Sequence, residues 1–234
     1  MNLGIVSGYH PGLRFNSQVN HKAYADFHGY HYVFNGSPER DSRNYFRKIE
    51  TVIRYLGLFD WLFWIDDDAY FTNFTIPLAR FVDEAGECDM LICRSPSTKK
   101  LFTKFSSGQF FLRNAPRARE FLKAVLATDL AAVQAFWRQD LGYYSSGDQD
   151  AMVYLSETDP RFSDGFFKLL DHQQFNNRDF EYLADPVEHF VVHFTGTQKV
   201  ASKVAFCERL GCNRYLVPPR LLMGYQCDQY EHLG

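Results

Sequence analysis

Trp61-Leu62-Phe63-Trp64-Ile65-Asp66-Asp67-Asp68-Ala69-Tyr70-Phe71 is an unbroken run of large apolar side chains that stops at three carboxylates. A continuous apolar run of this length reads as a strand buried on both faces, as central parallel strands are. Side chains alternate along a strand, so Asp66 and Asp68 are expected on one side and Asp67 on the other. Paired carboxylates at the carboxyl end of a buried strand stand where open α/β sheets bind ligands. Their burial is costly unless a cation or hydrogen-bond donors neutralise them, and a hard divalent metal carrying a diphosphate answers that need. The competing reading is a solvated turn whose aspartates cap the next helix.

The elements on either side extend the pattern. Leu3 to Val6 reads as a strand, Ser17 to His28 as a helix closed by Gly29, and Tyr30 to Phe34 as a second strand before an Asn35-Gly36 turn. Tyr45, Phe46, Ile49, Val52, Ile53 and Leu56 fall at helical spacing, and a helix near Leu78 to Ala85 precedes a Met90 to Cys93 strand. Strand and helix alternating in this way predict an α/β fold with a mostly parallel sheet flanked by helices. Farther on, Gly108 to Arg113 and Phe190 to Phe194 read as strands, and Pro116 to Leu126 and Ser146 to Leu155 as helices. The tail from about Ala201 to Gly234 shows little period. Without a repeat or linker, one domain over 1–234 is expected, with a nucleotide-binding half at about 1–95 and an acceptor and catalytic half at about 96–234.

Composition narrows the function classes. Hydrophobic residues make up 46% of the 234, and the net charge of -3 offers no Lys/Arg surplus for nucleic acid. The 23 Phe and 14 Tyr suit a core and aromatic-lined sugar grooves alike. No stretch approaches the ~18 apolar residues of a spanning helix, and the N-terminus lacks a signal-peptide pattern. Among five cysteines, Cys88/Cys93 and Cys207/Cys212 share a C-x4-C spacing wider than usual zinc pairs, and Cys93 sits in an apolar strand as an inert thiol. A reducing, cytoplasmic setting is expected, or the Golgi lumen if the chain is part of a eukaryotic enzyme.

Several ordered segments carry a resemblance. They are Asn20 to Tyr30, Tyr45-Phe46-Arg47-Lys48, Trp61 to Asn73, Ser107-Gly108-Gln109-Phe110-Phe111-Leu112-Arg113-Asn114, Gly147-Asp148-Gln149-Asp150-Ala151-Met152-Val153-Tyr154-Leu155, and His193-Phe194-Thr195-Gly196. In this order they resemble the landmarks of GT-A nucleotide-sugar glycosyltransferases, and of glycosyltransferase family 34 (the galactosyl/mannosyl/xylosyl-transferase group) in particular. That resemblance implies transfer of a sugar from a UDP-, GDP- or dTDP-linked donor to a glycan hydroxyl, with Mn²⁺ as cofactor and Mg²⁺ as the alternative, and with retention.

It implies Asp68 as a metal ligand, Asp66 as a ligand or ribose contact, and His193 as the remaining protein ligand. Ser7 and Lys48 fall on the nucleotide side, and Ser107, Gly108 and Gln109 on the sugar side. His193-x-x-Gly196-x-x-Lys199 also has the spacing of glycogenin-like family 8, which implies Gly196 and Lys199 at the diphosphate. Asp148, Gln149 and Asp150 are the expected reactive-face groups, although Ser146-x-x-Gln149 fits a capping box equally well. Serine stands at 106 and 107 where the family has a sugar-contacting asparagine, and Asp67 is an extra acid. His172 to Asn176 forms a polar, aromatic patch suited to an acceptor or to a surface loop. A metal-dependent phosphohydrolase or nucleotidyltransferase, and a carbohydrate-binding domain without turnover, remain open alternatives.

Overall fold

The computed structural model describes residues 1–8, 15–36, 44–96, 102–184 and 189–225. Its strands are β1 (Leu3–Gly8), β2 (His31–Asn35), β3 (Trp61–Ile65), β4 (Ala69–Phe71), β5 (Met90–Cys93), β6 (Gln109–Arg113), β7 (Phe167–Leu170) and β8 (Val191–His193). The principal helices are α1 (Ser17–His28), α2 (Arg47–Leu56), α3 (Ala79–Asp83), α4 (Pro116–Ala127), α5 (Leu130–Phe136) and α6 (Asp148–Thr158). After them come α7 (Pro160–Ser163), α8 (Asp179–Ala184), α9 (Lys199–Leu210) and α10 (Pro219–Leu222).

Six strands form one sheet in the order β2-β1-β3-β6-β5-β7, and β4 pairs with β8 in a separate ribbon. The sheet is α/β and mostly parallel, as expected, but mixed: β6 runs antiparallel to both β3 and β5. β3 is buried at every position. Its alternation sends Trp61, Phe63 and Ile65 into a core shared with Tyr24 of α1 and Phe81 of α3, and Leu62 and Trp64 into the opposite core with α2, α4 and α6. A continuous apolar run is therefore needed to cover both faces. The helix read from Tyr45 begins as a 3-10 turn and becomes α2 at Arg47. α1 ends at Gly29 in the left-handed conformation (φ 71°), as expected. The tail expected to lack period contains α9 and α10, and residues 226–234, including Cys227, lie outside the described residues.

α1 also supplies a buried histidine. His21 Nε2 donates to Ala69 O at 2.8 Å, and the ring packs edge-on to Tyr32 and Phe71. Nδ1, which bears the lone pair, is buried with no donor. Burial lowers the His21 pKa to about 4, and the Ala69 hydrogen bond offsets part of the fall. The folded-state value thus lies below the unfolded one. Its contribution is present above about pH 6.5 and is lost as pH falls toward 4. From pH 7 to pH 5 wild type is expected to lose about 2 kcal/mol of stability through this group. His21→Gln keeps an N–H donor and should show a correspondingly smaller loss in urea unfolding at the two pH values.

Candidate active site

β3 ends at Ile65, and the three aspartates form a turn in which Ala69 N donates to Asp66 O at 3.1 Å. Asp66 and Asp68 converge because of this turn rather than by the strand alternation expected from sequence. The chain re-enters as β4, whose register with β8 sets Ala69 opposite His193, while Phe194 N donates to Asp68 O at 3.0 Å. Side-chain ligand atoms of Asp66, Asp68 and His193 consequently all lie within 4.8 Å of one another. Hard divalent ions bind oxygen at about 2.0–2.6 Å, so two ligands on opposite sides of one ion stand about 4–5 Å apart.

A second observation bears on the fit. Asp68 is buried, and its Oδ1 has no hydrogen-bond partner although His193 Nε2 stands 3.1 Å away. A carboxylate oxygen and an imidazole nitrogen facing each other unbonded suit a cation between them. The other oxygen, Oδ2, accepts from Lys199 Nζ at 2.7 Å. Burial pushes the Asp68 carboxyl up, but His193 and Lys199 outweigh it and hold the group well below the usual carboxylate range.

The opposite edge of the His193 imidazole is fixed. Nδ1 lies 3.1 Å from Asn176 Oδ1, which also accepts from Arg178 Nη1 at 2.7 Å. Arg178 Nη1 lies 3.1 Å from Nδ1 as well; a ligand histidine requires Nδ1–H to donate to Asn176, with the Nε2 lone pair toward Asp68. Gly108 lies against the ring: a Cβ there would fall 3.0 Å from Nδ1, 3.1 Å from Nε2 and closer still to Cε1. The expected sugar-side glycine is thus also the space that His193 occupies.

Lys48 is buried rather than solvated. Its Nζ donates to Ser107 O (2.9 Å) and Ser107 Oγ (3.2 Å), and lies 3.2 Å from Asp66 Oδ1 and 3.4 Å from Asp148 Oδ2. Trp64 Nε1 donates to Asp66 Oδ1 at 2.6 Å, so β3 and α2 together orient that carboxylate. Burial disfavours the Lys48 charge, but Asp148 and Asp66 prevail and raise its pKa to about 12. Asp148 is raised, by burial first and by Asp66, against Lys48 and a 3.0 Å hydrogen bond from Ser107 Oγ. Ser107 N donates to Gln149 Oε1 at 3.0 Å. Lys48, Ser107, Asp66, Asp148 and Gln149 therefore form one connected cluster.

Asp150 caps α6: its Oδ2 accepts from Gly147 N, Ser145 N and Ser145 Oγ. The capping contact runs from Asp150 to Gly147, not between Ser146 and Gln149. Ser7 is fully buried at the end of β1, just past the Val6↔Trp64 pairing and therefore at the same sheet edge. Gln109 is fully buried with neither amide atom partnered. Gly196 takes φ 90°, a conformation that favours glycine in the turn leading to Lys199. Asn176 lies buried behind His193 and Phe175 lies in the core, so neither forms part of an open patch. Trp64 and Arg178 escaped the sequence reading, because an apolar run and a loop arginine carry no local sign of such partners.

Residues 10–95 match the model of the galactosyl transferase GMA12/MNN10 family. The structure is similar to a glycosyltransferase involved in the glycosylation of the major capsid of PBCV-1, at 16% identity and a TM-score of 0.65, covering 88% of this chain and 99% of that one. The chain has the fold of that glycosyltransferase. The glycosyltransferase GlyE of Streptococcus pneumoniae TIGR4 is similar as well, at 12% identity and a TM-score of 0.55, and this chain, 98% of it aligned, covers 64% of GlyE. No curated protein sequence matches the chain. No helix among the described residues is long and apolar enough to cross a membrane.

Proposed function

We propose that this chain is a glycosyltransferase that moves a sugar from a nucleotide-diphosphate donor to a glycan hydroxyl, with a divalent metal, Mn²⁺ or secondarily Mg²⁺, held by Asp66, Asp68 and His193. The observation that carries this reading is the convergence of those three side chains with an orphaned Asp68 oxygen. When bound, such an ion supplies positive charge to the diphosphate leaving group. The chain's own residues supply the remaining functions. Lys199, ion-paired to Asp68, brings a mobile positive charge to the edge where the diphosphate would lie. Lys48 bridges Asp66 and Asp148, and Ser107 Oγ donates to Asp148.

Retention of anomeric configuration is the stereochemical course we assign. Asp148 and Gln149, joined through Ser107 to the Lys48 cluster, are the groups placed to support an oxocarbenium-like sugar. Asp150 serves the same reaction by fixing the first turn of α6. The nucleotide side is assigned to Ser7, Asp66, Gly196 and Lys199, and the sugar side to Ser107, Gly108 and Gln109, within one domain.

Thermal unfolding with UDP, GDP, dTDP and their sugar conjugates, in Mn²⁺ or in chelator, tests the reading. One nucleotide series in Mn²⁺ should raise Tm by about 5–10 °C at 100-fold excess over Kd, and chelator should abolish the shift. Nucleotide release without any acceptor would favour a phosphohydrolase. Glycan binding indifferent to chelator, with no nucleotide shift, would favour a binding domain.

A further inference from the structure

α9 ends in a Schellman turn. Cys212 N donates to Cys207 O at 3.1 Å, and Gly211 N, at φ 62°, donates to Glu208 O at 3.4 Å. This pattern brings the side chains of its first and last residues together, usually as an apolar contact. Here both are half-buried cysteines with free thiols. Cys207 Sγ also approaches Asn213 O (3.7 Å), and Cys212 Sγ approaches Cys207 O (3.8 Å).

The pair forms part of the wall of a cavity of about 560 Å³, with Phe15, Lys203, Glu208 and Arg214 also lining it. Two cationic side chains against one carboxylate give that wall a net positive character. Within it the Cys212 hydrogen bond, chiefly, and the Lys203 charge lower the Cys207 pKa to about 7, against burial and Glu208. Burial raises the Cys88 and Cys93 thiols instead.

We propose that Cys207 and Cys212 are a reactive dithiol, oxidised to an intramolecular disulfide by a small anionic disulfide that enters this cavity. The Cys207 thiolate attacks one sulfur of the incoming disulfide, forming a mixed disulfide and releasing one thiolate. Cys212 then loses its proton and attacks the Cys207 sulfur, releasing the second thiol. The chain gives up two protons and two electrons, and one molecule of the oxidant becomes two thiols. The site lies at the far end of the helix whose first residue, Lys199, pairs with Asp68.

Oxidised glutathione added to the full-length native chain, followed by iodoacetamide trapping and peptide mass mapping, tests this directly. Wild type should lose alkylation at Cys207 and Cys212 together and yield a peptide linked between them, while Cys88 and Cys93 remain reduced. Cys212→Ser should stop at one glutathione on Cys207, and Cys207→Ser should resist modification at Cys212. A link from either residue to Cys227, unchanged alkylation of both thiols in wild type, or equal glutathione uptake by Cys207→Ser and wild type would each overturn the proposal. Mapping on wild type stands even if a serine variant folds poorly.

Discussion

Asp68→Asn is expected to lower sugar transfer by about 1,000-fold or more while leaving a folded protein, since a bound metal contributes several kcal/mol and each ~1.4 kcal/mol is a factor of ten. Asp68 gives one oxygen to Lys199 and turns the other, unbonded, toward His193. Asparagine retains the volume but removes the charge and presents a weaker ligand. Folding should suffer less than binding, because Lys199 is only partly covered and can swing toward water once its partner is neutral. The depressed Asp68 pKa makes its carboxylate stabilising above the usual carboxylate range, a contribution lost as pH falls through the lower folded value. Asp68→Asn should therefore flatten part of the acid limb of stability. Calorimetric titration with Mn²⁺ and nucleotide, beside circular dichroism melts, separates the two effects. Wild-type affinity in Asp68→Asn would exclude this carboxylate as a ligand.

Most of the sheet could be read from sequence because its strands have strong local signatures. The run from Trp61 to Ile65 is apolar since it covers two cores, and Ile49, Val52 and Leu56 of α2 repeat at helical spacing since one stripe packs against β1 and β3. The direction of β6 is not encoded in that way. Gln109 to Arg113 is equally apolar whether its neighbours run parallel or antiparallel, and only the connections decide. α9 was hidden for another reason. Val200 and Val204 are exposed, and Phe206 is its one fully buried residue among those described, so no apolar stripe emerges at helical period.

The site divides along the same line. Carboxylates after a buried strand are legible because their burial demands a partner. The turn that joins Asp66 to Asp68 is not, since it depends on β4, three residues long, pairing with β8 far along the chain. Lys48 illustrates the limit of local reasoning. On an amphipathic helix a lysine normally faces water, yet two aspartates and a serine carbonyl surround this one. Burial without those partners would cost far more than the helix could return, so the cluster exists only as a tertiary arrangement.

Gly108→Ala should disable the site without touching a polar atom. β6 begins beside Gly108, whose carbonyl accepts from Asp66 N at 2.9 Å and ties it to the aspartate turn. The added methyl would fall at His193, within 3.0 Å of Nδ1 and nearer to Cε1. Neither side yields easily. The backbone is held by that hydrogen bond, and the imidazole is buried between Gly108 and Asn176. Overpacking of this kind costs about 1–3 kcal/mol of stability, and the displaced ring would no longer direct Nε2 toward Asp68. Mn²⁺-dependent nucleotide binding should fall in Gly108→Ala nearly as far as in His193→Ala. The double variant distinguishes the cause. If the methyl acts through the ring, Gly108→Ala combined with His193→Ala should be more stable than Gly108→Ala alone and bind metal no worse than His193→Ala. Additive losses of stability in chemical unfolding would instead place the damage in the β6 backbone, and undiminished Mn²⁺ affinity in Gly108→Ala would remove His193 from the ligand set.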